Sequence, residues 1–100
     1  MADLLFSNKA VEDLTNIWNY TVETWSEDQP DRYYALLVAT CRQIADSFRP
    51  LGREYAEIMA ELCGYRSGKH IVFYRTVSES VVEIVRILHE RMDLKIRIGE

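Results

Sequence analysis

Apolar residues in the first half of the chain recur at steps of three and four, which is the spacing of a helix with one apolar face. The first such stripe follows Ser7, a residue whose hydroxyl can accept a hydrogen bond from an unpaired N–H of a first helical turn. Its members are Val11, Leu14, Trp18, Thr21, Val22 and Trp25, and the opposite face holds Glu12, Asp13, Asn16, Asn19 and Glu23. The pattern predicts a helix that begins after Ser7, buries the first set and exposes the second.

A second apolar stripe follows a polar break in the sequence. Either Ser26 or Asp28 can cap a new helix that has Pro30 in its first turn. The stripe comprises Tyr33, Leu37, Cys41, Ile44 and Phe48. It ends before Pro50 and Gly52, which both resist a helical continuation. Because the link between the two stripes is short, we expect the helices to lie antiparallel as a hairpin.

The second half of the chain changes to the alternation that is typical of β-strands. The clearest runs are Lys69–Thr76 and Val81–His89, and the polar residues 78–80 separate them. Gly68, which precedes the first run, can adopt the positive φ of a tight turn. Ala60–Tyr65 predicts a further strand. Both faces of the two clearest runs are apolar, so their Ile, Val, Leu and Phe residues are expected to form core rather than a ligand pocket.

The remaining segments are less regular. Leu4–Phe6 predicts a short edge strand, and Arg53–Ile58 predicts an irregular connection with room for one helical turn. Leu94–Glu100 alternates apolar and basic residues, so it either adds an edge strand or frays as a tail. The order of elements predicts one domain over residues 1–100, of the α+β class. It has a short N-terminal strand, an antiparallel helical hairpin, and a three-stranded antiparallel C-terminal sheet portion with the hairpin packed on one face.

The composition is that of an ordinary globular domain, with 48% hydrophobic and 28% charged residues among 100, enough for one core without disulfides or metal. A net charge of -4 disfavours general attraction to nucleic acid and favours a protein partner. No run approaches the roughly 20 apolar residues of a membrane span, and no signal peptide is evident, so we expect a cytoplasmic protein. Cys41 and Cys63 are expected to be reduced, mostly buried thiols, and no cofactor or metal is expected.

Cationic and titratable residues concentrate at the ends of the predicted strands; they are Arg66, His70, Arg75, Arg86, His89 and Arg91. Imidazoles titrate near neutral pH, so the histidines could transfer protons, and Tyr74 with the arginines could hold a phosphate. The same residues could equally be solvated strand ends and surface ion pairs. Without a nearby nucleophile or a set of metal ligands, this cluster alone does not predict an enzyme.

Three groups of residues occur in an order that is specific as a whole, although each short motif alone would not be. The first is Phe6, Ser7, Ala10, Asp13, Leu14, Ile17, Trp18, Tyr20, Trp25, Tyr33 and Leu37; the second is Pro50–Arg53; the third is Tyr65–Arg75 with Val85–Asp93. In this combination, over nearly its whole length, the chain resembles ParE-type toxins of the ParE/RelE superfamily of bacterial toxin-antitoxin modules.

The resemblance implies a toxin that blocks DNA gyrase, stabilises its cleaved DNA complex and stops replication, without being an enzyme itself. It also implies a ParD-like antitoxin that lays an extended and a helical segment along the toxin in a hetero-oligomer. We expect the partner surface to comprise the strand Lys69–Thr76 and the groove between sheet and helices, with basic C-terminal residues meeting the target. The residues expected to bind partners are Arg66, His70, Tyr74, Arg75, Arg86, Arg91, Lys95 and Arg97. Neither a membrane nor a specific nucleic-acid sequence is expected as a direct partner.

Two alternatives stay open at this stage. RelE-like members of the superfamily cut messenger RNA on the ribosome, and in that case Arg66, His89 and Arg91 would be the catalytic candidates. The glutamates of segment 54–61, where an RNA-binding enzyme would carry lysines, and the negative net charge argue against cleavage. The other alternative is a module that still binds an antitoxin but has lost its toxicity.

Overall fold

The computed structural model describes residues 3–24, 28–47 and 51–99, with eight helices and strands in those ranges. In chain order they are β1 (Asp3–Phe6), α1 (Asn8–Thr24), α2 (Asp28–Asp46), β2 (Arg53–Glu54), β3 (Cys63–Ser67), β4 (His70–Ser78), β5 (Val81–His89) and α3 (Leu94–Ile98). The α+β class, the N-terminal strand, the helical hairpin and the three C-terminal strands are all confirmed. The predicted positions Trp25, Ser26, Phe48 and Pro50 lie outside the described residues.

All five strands form one sheet in the order β1-β5-β4-β3-β2. β1 runs parallel to β5, whereas β2, β3, β4 and β5 pair antiparallel with their neighbours. β4 therefore has a strand on each side. A partner can contact the faces and ends of the predicted strand Lys69–Thr76, but it cannot pair with its backbone.

Ser7 links the first strand to the first helix, as its sequence context predicts. The Ala10 N–H donates to Ser7 Oγ at 3.0 Å, which is the contact of a helix N-cap. The same hydroxyl donates to the Val85 carbonyl at 2.6 Å. The cap thus ties the start of α1 to β5 and fixes where the helix leaves the sheet.

The face of α1 that is buried differs from the predicted stripe. Ala10, Leu14 and Thr21 are buried, and so is Asp13, which was expected in solvent. Val11 and Val22, expected in the core, are 51% and 52% exposed. At about 100° per residue, these two valines point about 160–180° away from Asp13. The helix is therefore rotated so that an acidic residue, rather than the full apolar stripe, faces the sheet.

The second helix follows its predicted stripe. Leu37, Cys41 and Ile44 are buried, and Tyr33 packs against the same cluster. Burial raises the pKa of the Cys41 thiol to about 11 and that of the partly buried Cys63 thiol above its usual value. Both thiols are free, as expected, and neither is activated as a nucleophile.

The C-terminal strands confirm the predicted alternation with shifted bounds. β5 spans the predicted residues, β4 begins one residue late, and Gly68 adopts a φ of 60° in the β3–β4 turn. The third strand covers Cys63–Ser67 rather than Ala60–Tyr65, because Glu61 takes a left-handed φ of 64° and ends a turn just before it. The connection before that turn contains the expected helical turn after Tyr55, and also the short β2, which was not predicted.

The expectation that residues 94–100 form an edge strand or a frayed tail is wrong. Leu94–Ile98 is a short helix, and Asp93 caps it by accepting a hydrogen bond from the Ile96 N–H at 3.2 Å. Ile98 is buried in a second apolar cluster with Leu62, Phe73 and Leu88. The cap, the buried Ile98 and the packing of Leu94 against the same cluster order this helix.

The core has two parts because the central strands are apolar on both faces. One cluster joins Leu37 and Cys41 of α2 to Val72 and Ile84 of the sheet. The other cluster contains Phe73, Leu88 and Ile98. The prediction that both faces of these strands are core is confirmed. None of the helices in residues 3–24, 28–47 and 51–99 is both long and apolar enough to cross a membrane.

A buried ion pair joins the first helix to the central sheet. Arg86 donates from Nε and Nη2 to the two carboxylate oxygens of Asp13, at 2.8 and 2.9 Å. Asp13 also accepts from the Ile87 N–H at 3.0 Å, and Arg86 Nη1 donates to the Arg97 carbonyl at 2.5 Å. The side chains of Asp13 and Arg86 are only 10% and 8% exposed. One pair therefore connects α1, β5 and α3.

We predict that Arg86→Ala lowers the free energy of unfolding by about 3–5 kcal/mol, because it leaves Asp13 as a buried charge without its partner. Arg75→Ala is the matched control: Arg75 of β4 pairs with Glu83 of β5, but with its side chain 48% exposed. Its loss is expected to stay below about 1 kcal/mol. Urea denaturation measures both values, and equal losses in the two variants would contradict the structural role given to the buried pair.

Candidate functional site

Two concave surfaces flank α1, and the first is polar. This polar cleft has a volume of about 580 Å³ and lies between α1, the β3–β4 turn, the end of β5 and α3. Its charged and imidazole side chains include Lys9, Glu12, Lys69, His70, His89 and Arg97. The buried pair of Asp13 and Arg86 also lines it. The predicted histidines and one predicted C-terminal arginine thus share one cleft.

The second surface is an apolar groove between the two long helices, with a volume of about 720 Å³. Its walls are formed mainly by Phe6, Val11, Leu14, Trp18, Tyr34 and Val38. Trp18 and Tyr34 meet edge to face across it, with ring centroids 5.7 Å apart. Tyr34 and Val38 are each 40% exposed. The sequence did not predict this groove, because its pattern places Val11 on the buried face of α1.

Tyr33 and His70 line the polar cleft next to the β3–β4 turn. The Tyr33 hydroxyl accepts from the Lys69 N–H at 3.1 Å and lies 2.5 Å from His70 Nδ1. Either atom can donate in this second contact, because the hydroxyl oxygen can accept from both N–H groups. Burial raises the pKa of the Tyr33 hydroxyl. Tyr33 is therefore a neutral anchor of the turn, a role that its place in an apolar stripe did not reveal.

His70 and His89 meet at the open ends of β4 and β5. They are direct partners in the antiparallel register, and their ring centroids lie 5.3 Å apart. His89 Nδ1 accepts from the Arg91 N–H at 3.1 Å. Burial, followed by the neighbouring His89, lowers the pKa of His70 to about 4. His70 is thus neutral at physiological pH and is a weak base.

Arg66 lies beside the cleft, and two contacts hold its side chain in place. It forms a salt bridge with Glu90, and its Nε donates to the Gly68 carbonyl at 3.3 Å. The Glu90 N–H donates to the Lys69 carbonyl at 3.0 Å, which adds one backbone hydrogen bond beyond the paired ends of β4 and β5. Arg66 remains largely exposed, so it can still reach a partner.

Two of the predicted partner-binding residues, Tyr74 and Arg86, are buried. Tyr74 is 2% exposed, and its hydroxyl donates to the Leu51 carbonyl at 2.7 Å. Burial raises its pKa to about 12. Arg86 is held in the core by Asp13. Neither side chain is presented to a partner as predicted, because both sit in a sheet that is covered on both faces.

The remaining predicted residues fall into separate groups. His70 and Arg97 line the polar cleft, whereas Arg75 is exposed elsewhere on the sheet in its ion pair with Glu83. Arg91 and Lys95 are exposed near and within α3. The ribonuclease candidates Arg66, His89 and Arg91 lie at the same strand ends. In the described residues, no group of three or more His, Cys, Asp or Glu could hold a metal ion.

Comparison with known proteins gives a consistent result. The family model described as the ParE toxin of the type II toxin-antitoxin system parDE matches residues 4–94. The chain is 37% identical over 93 residues to Toxin ParE1 of Mycobacterium tuberculosis, covering 90% of this chain and 91% of that protein. It is 36% identical over 96 residues to Toxin ParE1 of Caulobacter vibrioides, covering 93% and 94%.

A solved structure shares the fold at lower sequence identity. It is titled "Chromosomal ParDE TA system from P. aeruginosa" and superposes with a TM-score of 0.74 at 16% identity. The match covers 89% of this chain and 96% of that one. The arrangement of sheet and helices described above is therefore the RelE/ParE-like fold.

We predict that His70→Gln reduces the loss of stability in acid. The folded protein holds the His70 pKa at about 4, against 6.5 for an ordinary imidazole. Between these values the unfolded chain binds more protons, so the free energy of unfolding falls as pH drops through that window. The variant removes this contribution, and its urea midpoint should fall less steeply with decreasing pH. Asn16→Gln, in the same cleft, is the control, and a slope unchanged by His70→Gln would refute the prediction.

Proposed function

The chain belongs to the ParE toxin family of type II toxin-antitoxin systems, and from this premise we propose that it inhibits DNA gyrase and is neutralised by a ParD-like antitoxin. The toxin binds gyrase while DNA is cleaved, stabilises the cleaved complex and so stops replication. The observation that carries the proposal is the family match over residues 4–94. Such a toxin works in the cytoplasm and is stored there as a toxin-antitoxin hetero-oligomer.

Inhibition by binding, rather than catalysis, fits the state of three basic residues of the sheet, of which Arg66 is one of the ribonuclease candidates. The Arg66 guanidinium is paired with Glu90, and the Arg86 guanidinium with Asp13. His70, with a pKa of about 4, is poorly suited to act as a general base near neutral pH. The net charge of -4 also disfavours a long RNA substrate. These features support a toxin that is not an enzyme.

The apolar groove is the surface that suits the antitoxin. A groove between two helices can accept the apolar face of a third helix, with anchors at helical spacing. Trp18 and Tyr34 are the aromatic types that dominate binding energy at protein interfaces, and Val11 and Val38 extend the apolar surface around them. We therefore assign the helical segment of the antitoxin to this groove.

The basic residues near the C-terminus are the proposed contact with gyrase. Arg91, Lys95 and Arg97 are exposed, and a cationic patch complements an acidic protein surface. Deleting the chain beyond Met92 would not test this contact cleanly, because it also removes Ile98 from the core and the Arg97 carbonyl from Arg86. Charge reversal leaves α3 in place and is the better test.

We predict that the purified protein inhibits gyrase supercoiling and accumulates cleaved DNA, while messenger RNA in a ribosome-dependent assay stays intact. Lys95→Glu should raise the protein concentration needed for inhibition about fivefold, the effect of roughly 1 kcal/mol of lost charge attraction. Arg42→Glu, an exposed cation on α2, is the control. Cut messenger RNA with normal gyrase would instead make the protein a ribonuclease, and no growth arrest on expression would make it an inert binding module.

We predict that Val11→Glu weakens antitoxin binding at least tenfold, because an unpaired carboxylate buried at an apolar interface costs several kcal/mol. Growth arrest should persist but no longer be relieved by co-expressed antitoxin. Val77→Glu is the control, since Val77 is similarly exposed but lies on β4, away from the groove. Isothermal titration measures both affinities, and wild-type affinity for Val11→Glu would place the antitoxin elsewhere.

A further inference from the structure

We propose that Arg86 is a positioning residue for target binding, because it sets how α3 presents its outward face to the target. That outward face is formed by Lys95 and Ile96. The target is DNA gyrase only under the proposed function, on which this part of the inference rests. The positioning of α3 by Arg86 depends on contacts within the protein and can be measured without any partner.

α3 is too short to hold its own position. It spans only Leu94–Ile98, and an isolated helix in water needs about 12–15 residues to be even marginally stable. The Arg97 N–H donates to the Asp93 carbonyl at 3.0 Å, and the Gly99 N–H donates to that of Lys95 at 3.2 Å. These local bonds shape the helix but do not attach it to the sheet. Its place therefore depends on contacts with other elements.

Two kinds of contact attach α3 to the rest of the protein. Leu94 and Ile98 pack into the apolar cluster that contains Phe73. Such burial is favourable in many orientations, because the hydrophobic effect has no direction. The hydrogen bond from Arg86 Nη1 to the Arg97 carbonyl, at 2.5 Å, depends on angle as well as distance. Unlike the apolar contacts, this bond restrains the tilt and rotation of the helix.

Arg86 can position another element because it is itself rigidly held. Its Nε and Nη2 form one edge of the planar guanidinium and donate to the Asp13 carboxylate at 2.8 and 2.9 Å. This leaves Nη1 for the Arg97 carbonyl. The same carboxylate accepts from the Ile87 N–H at 3.0 Å, which fixes the pair to the backbone of β5. The guanidinium therefore cannot turn without breaking one of its bonds.

The orientation of α3 determines which of its residues face outward. At about 100° per residue, Ile96 points about 160° and Lys95 about 60° away from the buried Ile98. Ile96 is accordingly 64% exposed, and Lys95 is exposed as well. The outward face thus offers a target one apolar and one cationic side chain, whose directions both follow from the position of the helix.

A fixed α3 is expected to bind a target more tightly than a loose helix with the same residues. A partner that meets a loose helix must first order it, and that ordering reduces the affinity. Lys95 and Ile96 also act together only while the helix holds both toward one surface. Loss of the Arg86 contact should therefore weaken target binding, although Arg86 itself is buried and does not touch the target.

The first test measures amide hydrogen exchange in Arg86→Lys by NMR. Lysine keeps the charge opposite Asp13, but its single nitrogen lacks the fork of donors with which arginine also reaches the Arg97 carbonyl. We expect the Arg97 and Gly99 N–H groups to exchange about fivefold faster or more, while the Ile87 N–H, on the carboxylate side of the pair, changes less than about twofold. Equal acceleration at all three amides, or no acceleration at Arg97 and Gly99, would overturn the proposal.

The second test measures inhibition of gyrase supercoiling at equal concentrations of folded protein. Arg86→Lys should raise the concentration needed for inhibition about fivefold or more. Arg75→Lys, in an exposed ion pair of the same sheet, is the control and should stay within about twofold of wild type. Lys95→Glu, which is expected to cost about fivefold in the wild-type protein, should cost less than about twofold in Arg86→Lys, since α3 no longer holds that residue toward the target. Full additivity of the two changes would contradict a positioning role.

Gly99→Pro approaches the same contact from α3 and covers the case in which Arg86→Lys does not fold. The φ of Gly99, -74°, suits proline. The change removes the hydrogen bond to the Lys95 carbonyl and disfavours a helical Ile98, so it loosens the last turn without altering the buried pair. Inhibition should weaken about fivefold or more, and unchanged inhibition would refute the proposal. Wild-type protein without effect on gyrase would instead refute the proposed function, and hydrogen exchange would still decide whether Arg86 positions α3.

Discussion

The buried contact between Asp13 and Arg86 determines how the layers of this protein fit together. Two charges removed from water must find each other, since a buried charge without a partner costs several kcal/mol. Here the carboxylate receives both guanidinium donors and the Ile87 N–H, and the guanidinium also reaches the Arg97 carbonyl. The pair therefore turns Asp13 of α1 toward the sheet and links α1, β5 and α3 at one point.

Fixing the rotation of α1 creates the two surfaces that flank it. With Asp13 turned toward the sheet, Val11 and Val22 are turned outward and remain half exposed. The apolar residues that the core does not use then form the wall of the groove against α2. The polar residues on the other side of the helix face the two histidines at the strand ends. One helix thus presents an apolar surface to one side and a polar surface to the other.

The parts of the fold that depend on neighbouring residues were predictable. Ser7 caps α1, the apolar spacing of α2 matches its buried face, and the alternation of Val81–His89 gives the bounds of β5. The predictions failed where a distant contact outweighed the local pattern. The local pattern places Asp13 in solvent. Its partner, Arg86, lies 73 positions away in the sequence, so nothing near Asp13 indicates the buried pair. The local pattern does not predict a helix at Leu94–Ile98. This segment is ordered by the Asp93 cap and by Ile98, which enters a core formed by other strands.

The sequence alone was enough to predict the class of the fold, the order of β1, the two long helices and β3 to β5, and the resemblance to ParE-type toxins that the family match confirms. These depend on residue spacing and local order, which are properties of the chain alone. Tertiary contacts, by contrast, set which cationic residue is buried in an ion pair and which apolar residues remain outside the core. Those outcomes depend on contacts between residues far apart in sequence, and the free energy of burying a charge or an apolar group is fixed by what surrounds it after folding.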